Sequence, residues 1–230
     1  RSSSENFEIR GFGIASSELT NTSMLKTTLW LRLIALFFLI VAVLQPARSE
    51  PIQIRNIEIK ISPNAKSIQP DPTSTVLPNK EVIYSVKGAI NKQNTQDTAN
   101  DLIQTLLNDF VNRLHKISLT KDAEALSSLY DPSSMEFLVK KIIPNPKLLE
   151  GFFEQSAKIQ EAKWRFLVES DSLLTVFAEV TSRDGEPTLM PFFFRQTGGQ
   201  YVPVYQTAPN LMMINILVAD QQKLLSVSQL

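Results

Sequence analysis

Residues 162–206 read "AKWRFLVESDSLLTVFAEVTSRDGEPTLMPFFFRQTGGQYVPVYQ". Apolar residues here recur with a period of two. Trp164, Phe166 and Val168 form one alternating set, Leu174, Val176, Ala178 and Val180 a second, and Met190, Phe192 and Phe194 a third. Such alternation marks strands with a buried face. Asp184-Gly185 and Gly198-Gly199 supply hairpin chemistry, because the tightest turns need residues that tolerate positive φ. Pro191 and Pro203 each remove a ladder donor, so both are expected at a strand edge or bulge. The segment predicts an antiparallel meander of four strands, the last within "QYVPVYQ" at 200–206.

Upstream the period is 3.6. From Asp97 to Ile117, Leu102, Ile103, Leu106, Leu107, Phe110, Val111 and Leu114 form one apolar stripe, the signature of a helix laid on a core. Asp97 or Thr98 can cap it. A shorter helix is expected from Thr120 through Ala123, Leu126, Leu129 and Tyr130. Asp131-Pro132 reads as an N-cap followed by proline at the first helical position, opening a helix through "SSMEFLVKKII" that Pro144 and Pro146 stop. Leu148, Leu149, Phe152 and Phe153 build another. Helices first and then a meander give an α+β domain over 97–230, with the helices on one face of a curled sheet. The stretch "NLMMINILVADQQKLL" after Pro209 favours a helix.

Residues 50–96 read as a strand-containing extension. In "EPIQIRNIEIKI" (50–61), Ile52 and Ile54 alternate, and Ile57, Ile59 and Ile61 resume in the other phase, which predicts a bulge or two short strands. Residues 62–79 carry four prolines and read as an extended linker. In "KEVIYSVKGAI" (80–90), Val82, Tyr84 and Val86 share a face, so a second strand is expected. The polar run "NKQNTQDTAN" (91–100) marks the start of the main domain.

The helix "DLIQTLLNDFVNRL" (101–114), the short helix ending "LSSLYDPSS" (126–134), the Trp-bearing strand and the Gly-turn hairpin "RQTGGQYVPV" (195–204) come in a telling order. In it, residues 97–206 resemble the cone-shaped α+β fold shared by nuclear transport factor two and ketosteroid isomerase. The resemblance covers about half the chain. It implies helices against a curled sheet with a mouth at one end. That fold hosts enzymes, binding modules and assembly domains alike, so function must be argued from the site.

Residues 24–50, "MLKTTLWLRLIALFFLIVAVLQPARSE", bear on compartment. Lys26 and Arg32 precede an uncharged apolar run of twelve, Leu33–Leu44. A bilayer-spanning helix needs roughly 20 such residues, whereas a signal-peptide core needs about 7–15 followed by small residues. Pro46 ends the helix, and Ala47-Arg48-Ser49 offers a cleavage site after Ser49. Residues 24–49 are thus expected to be a signal peptide; an uncleaved anchor is the alternative. Residues 1–23 are polar and Ser-rich, and Met24 is the expected start. The upstream stretch is then non-native, or else a disordered tail on an anchored protein. A periplasmic or secreted location follows.

Composition excludes several chemistries. Of 23 basic and 23 acidic residues, five and three lie in 1–49, which leaves 18 and 20 and a net charge of −2 for residues 50–230. A basic footprint for nucleic acid is therefore missing. There is no cysteine, so disulfides, thiol catalysis and Cys-ligated metals are excluded. One histidine leaves little room for a metal centre or a Ser-His-Asp triad. No metal and no cofactor is expected.

The candidate catalytic residues are Asp131, as a pocket carboxylate or simply an N-cap, and His115, as a base at the cone mouth or a boundary histidine. Glu179 and Arg195 lie on strand faces opposite the apolar sets and are candidates to pair or to bind a ligand, or they face solvent. Trp164, Phe166, Phe192, Phe194, Tyr201 and Tyr205 either line an apolar pocket or form core. Three functions follow from different classes. The first is an exported, non-catalytic cell-envelope domain binding a protein partner or a small apolar ligand. The second is a pocket enzyme of ketosteroid-isomerase or cyclase type. The third is an envelope assembly factor whose strand 52–61 pairs with a partner's sheet edge. No nucleic acid is expected as a partner, and membrane contact only through an uncleaved leader.

Overall fold

A computed structural model of the chain describes residues 52–91, 98–171, 173–183, 185–206 and 209–230. The leader, the upstream segment, Asp97 and Asp184 lie outside the described residues, as does the side chain of Thr98. The order is β1 (Arg55–Ile61), β2 (Ser74–Val76), β3 (Val82–Ile90), α1 (Thr98–Thr120), α2 (Ala123–Leu129), α3 (Pro146–Ala157), β4 (Ile159–Ser170), β5 (Leu173–Ser182), β6 (Thr188–Thr197), β7 (Gln200–Pro203), α4 (Leu211–Gln221) and β8 (Leu225–Gln229). The class is α+β. All eight strands belong to one antiparallel sheet, in the order β7-β6-β5-β4-β3-β1-β8, with β2 paired to β3.

The strands of residues 50–96 are thus continuous with those of 97–230. β3 is the joint. One of its edges pairs along its length with β1, and the other pairs with β2 at Val82–Tyr84 and with β4 at Gly88–Ile90. Gly88 sits where the handover crowds the backbone. A Cβ there would run into the Leu167 carbonyl oxygen and lie 2.7 Å from Ile57 Cδ1, so only glycine fits.

Two cores result. Beneath the first lie Ile103, Leu107, Phe110, Val111 and Leu114 of α1, with Leu126, Leu129 and Phe153 from α2 and α3. They meet Trp164, Leu167, Leu174, Val176, Ala178, Val180, Phe192 and Phe194 of the sheet. The second core joins Ile57, Ile59, Ile61, Val82 and Tyr84 to Phe166, Val168, Phe177, Leu189 and the α4 residues Met213, Ile216 and Ala219. Along β5, Val176 and Ala178 belong to the first core and Phe177 to the second. Residues one apart point to opposite faces, so α4 covers the face opposite α1–α3. The expectation of helices on one face only is corrected here: both faces of β4–β6 are apolar.

A second correction concerns β4. Trp164 pairs with Ala178 but Phe166 pairs with Phe177, a register shift across Arg165. This bulge turns Phe166 away from Trp164, and its ring stacks on Phe177 at 4.6 Å. Trp164, Phe166 and Val168 therefore do not share one face. The phase slip near Arg55-Asn56 has a similar meaning: Ile52 and Ile54 pack on the first core and Ile57, Ile59 and Ile61 lie in the second.

Local signals explain most element ends. Asn145 and Asn210 cap α3 and α4 by accepting from Leu148 N and Met213 N. α2 is capped by Asp122, through Ala125 N, rather than begun at Thr120, which ends α1. Gly198 and Gly199 have φ of 58° and 80° and join Thr197 to Gln200 as a two-residue hairpin turn. Pro203 lies on the edge strand β7, and Pro191 lies beyond the reach of β7, where β6 has β5 as its neighbour. Asp131-Pro132 does not open an α-helix: Pro132–Ser134 is a single 3₁₀ turn, followed by a π-helical turn at Leu138–Ile142. Residues 62–79, expected as a linker, contain turns and β2 and are held to α4 by side-chain amides. The strand at 225–229 was not expected.

Candidate functional site

Three chain segments meet around Asp131. The carboxylate caps the 3₁₀ turn, with Oδ1 accepting from Ser133 N at 2.9 Å. Its Oδ2 accepts from Arg195 Nη1 at 2.8 Å, and the same nitrogen donates to Ser133 Oγ at 2.7 Å. Ser134 Oγ donates to the Asp131 carbonyl and accepts from Tyr205 N at 3.0 Å. Tyr205 lies edge-on to Tyr130 at 5.4 Å and parallel to Phe137 at 6.5 Å. Asp131, Arg195 and Tyr205, three of the sequence candidates, are thus brought together.

The electrostatics there favour a fixed charge. The Ser133 backbone N–H, then the Ser133 hydroxyl and the Arg195 guanidinium, pull the Asp131 carboxyl below its usual 3.8, against a push from burial. Proton abstraction near neutrality is best served by a carboxylate shifted upward. The shift here runs the other way. Beside it, burial pushes the Tyr130 phenol up, with Tyr205 adding to the effect.

His115 is not part of this cluster. Phe110, which meets the rings of Tyr130, Phe192 and Phe194, lies five residues earlier on α1, about 140° around the helix. The His115 Nδ1 is shielded and has no hydrogen-bond partner among the described residues. Trp164, Phe166, Phe192 and Phe194 are buried and divide between the two cores. Tyr201 and Tyr205 are half-buried against the first core. Glu179 lies in a cleft beside Arg165 and Asp220.

The apolar concavity lies elsewhere, on the α4 side of the sheet. A groove of about 550 Å³ is lined by Val86, Val168, Leu173, Leu211, Met212 and Met213 together with Asp71, Lys87, Glu169 and Asn210. Its size falls in the range of small-molecule sites. One wall is the Asp71–Thr73 turn. That turn is held by a buried hub: Asn215 Nδ2 donates to Gln69 O at 2.7 Å and Tyr84 Oη at 2.8 Å, and Asn215 Oδ1 accepts from Gln69 N at 3.1 Å. Tyr84 Oη in turn donates to Asp71 Oδ2 at 3.4 Å. None of the groove's apolar residues was among the sequence candidates. The available signal was "NLMM" at 210–213, a capped helix start carrying adjacent methionines, a flexible side chain suited to adaptable surfaces.

No cluster of three His, Asp or Glu side chains that would hold a metal ion occurs among the described residues. No family model, curated protein or solved structure matches the chain.

Proposed function

We propose that this chain is an exported, non-catalytic binding domain of the cell envelope that takes a small apolar ligand in the α4-side groove. The observation that carries the reading is the groove itself: a largely apolar lining that includes Asp71, Lys87 and Glu169, walled by a turn that a buried hydrogen-bond hub holds in place. Export rests on the leader-like residues 24–49. Among the described residues no helix is long and apolar enough to cross a membrane.

The same reading keeps residues 97–206 as a relative of the cone-shaped fold of nuclear transport factor two and ketosteroid isomerase. Its support is the order of α1, α2 and α3 followed by β4 to β7 as successive neighbours in the sheet. Strands β1, β3 and β8 and helix α4 are then additions to that unit, and β3, α4 and the Asp71–Thr73 turn complete the groove against β4 and β5. An isomerase-like enzyme using Asp131 is the less supported reading, because its carboxylate is paired and shifted downward.

The test is titration with a dansylated undecanoic acid, followed by fluorescence. Met212→Glu and Leu173→Glu, both on half-buried positions of the floor, are expected to weaken binding at least tenfold. Asp131→Asn is expected to leave it unchanged. Equal binding by all three variants and the parent would overturn the assignment of the groove, and loss of binding in Asp131→Asn alone would move the site to the Arg195 cluster.

A further inference from the structure

We infer that the outer edge of β8 is a strand-addition site for an extended, basic and apolar segment of another protein. The argument starts from backbone accounting. Ser62 N donates to Leu224 O, and Leu230 N donates to Asn56 O. Because hydrogen-bonded pairs alternate along an antiparallel ladder, the even-numbered residues of β8 bond to β1. The N–H and C=O groups of Leu225, Val227 and Gln229 therefore point away from it. They have no backbone or side-chain partner among the described residues.

Other edges of the sheet are short or interrupted: β2 is three residues long, and β6 carries Pro191 where it runs past β7. β7 is four residues long and carries Pro203, whose carbonyl accepts from Asp131 N at 2.7 Å. Where β4 runs past the end of β3, Gln104 donates to Ala162 O at 2.8 Å and accepts from Trp164 N at 3.3 Å, and Asn91 donates to Trp164 O at 2.7 Å. Short length, proline and capping side chains are the ordinary means of blocking unwanted strand pairing. β8, "LSVSQ", has no proline and no charge, and no such cap among the described residues. β1 is not the alternative: it lies between β3 and β8, with both edges paired and Ile57, Ile59 and Ile61 fully buried. The expectation that strand 52–61 is offered to a partner is therefore corrected, and the open edge belongs to its neighbour.

Charge narrows the occupant. Leu225 lines a cleft of about 670 Å³ with Arg165, Glu179, Glu186, Asp220 and Lys223. Arg165 Nη1 is bound to Asp220 Oδ1 at 2.6 Å, while Glu179 and Glu186 have no ion pair among the described residues. The lining carries three acidic and two basic groups, a net charge of −1. A basic side chain on the added strand would answer it. A second copy of β8 brings no charge, and pairing two five-residue strands buries far less than the roughly 1,200 Å² of a stable interface. A segment that adds to the edge and also sends side chains into the cleft uses both features.

The experiment uses the full chain and the peptide acetyl-Val-Lys-Val-Lys-Val-Lys-amide, with amide hydrogen exchange and fluorescence anisotropy as readouts. Exchange at Leu225, Val227 and Gln229 is expected to slow at least tenfold on binding, with Ser226 and Ser228 unchanged. The Glu-for-Lys peptide is expected to bind at least threefold more weakly. A version with alternate N-methylated amides keeps every side chain but cannot pair, and it is expected not to bind. Val227→Pro, which removes an outward N–H and none directed at β1, is expected to abolish binding. Unchanged exchange at the three amides, equal binding by the N-methylated or the acidic peptide, or a concentration-dependent dimer in sedimentation that Val227→Pro dissolves would each overturn the proposal, the last by assigning the edge to a second copy.

Discussion

Asp131 shows how one carboxylate is given a structural task by its surroundings. It receives the Ser133 N–H and the Arg195 guanidinium, and its folded-state pKa lies below the usual value. The stability it contributes is therefore present above the unfolded-state pKa and is lost as pH falls through the folded one. Asp131→Asn keeps an acceptor for Ser133 N but removes the charge that faces Arg195. The parent is expected to be more stable than this variant at pH 7, by about 1 kcal/mol or less, because the Arg195 side of the pair is open to solvent screening. The gap is expected to narrow as pH falls below the carboxyl's usual 3.8 and through its lowered folded-state value. Urea denaturation across that range checks it, and a gap that persists at low pH would mean the charge is not what matters.

At the scale of elements, α1 shows which part of an apolar stripe carries weight. Leu107 is fully buried, whereas Leu106 is half-buried beside the same core. Leu107→Ala is expected to cost about 2–5 kcal/mol, and Leu106→Ala nearer 1 kcal/mol. Chemical denaturation of both measures the contrast, and equal values would put the two on one footing against the core. α4 is tied down differently. Asn215 and Gln222, seven residues apart and so on one face of the helix, each exchange two hydrogen bonds with the backbone of the 62–73 segment. Asn215 does so at Gln69, and Gln222 at Lys66, with 2.8 and 3.0 Å bonds. Asn215→Ala removes the partner of the part-buried Gln69 backbone groups and of the buried Tyr84 hydroxyl. A loss of about 1–3 kcal/mol is expected, together with faster exchange at the Gln69 amide. A neutral result would show that the segment stays in place without the hub.

At the scale of the whole molecule, the described residues from Ile52 to Leu230 form one compact unit whose sheet carries a helical layer on each face of β4–β6. Folding must bring β1 to both β3 and β8, the latter pairing joining residues 57 and 229. A truncation that removes β8 is expected to uncover β1 and expose the second core. The leader belongs to this scale as well. Cleavage after Ser49 is expected, since Leu33–Leu44 is too short for a span and Ala47-Arg48-Ser49 follows it. N-terminal sequencing of protein recovered from the envelope checks this, and a mature chain that keeps Leu33–Leu44 would make the protein an anchored one.

Taken alone, the amino-acid order located the strands β3 to β7, the main helix (expected over 97–117, found over 98–120), the glycine turn at 198–199 and the favoured helix after Pro209. Each rests on a local cause: a hydrophobic period, a cap, or a residue tolerant of positive φ. It did not determine which face Phe166 takes, because one bulged residue reverses the parity of a strand and leaves the composition unchanged. Nor did it determine that Ile57, Ile59 and Ile61 would be sealed between β3 and β8, since strand pairing across some 170 residues leaves no local mark. The groove beside Met212 and the open edge of β8 were hidden for the same reason. Their walls come from distant segments, and only strand pairing in the tertiary structure, β3 to β4 at Gly88 and β1 to β8, brings those segments together.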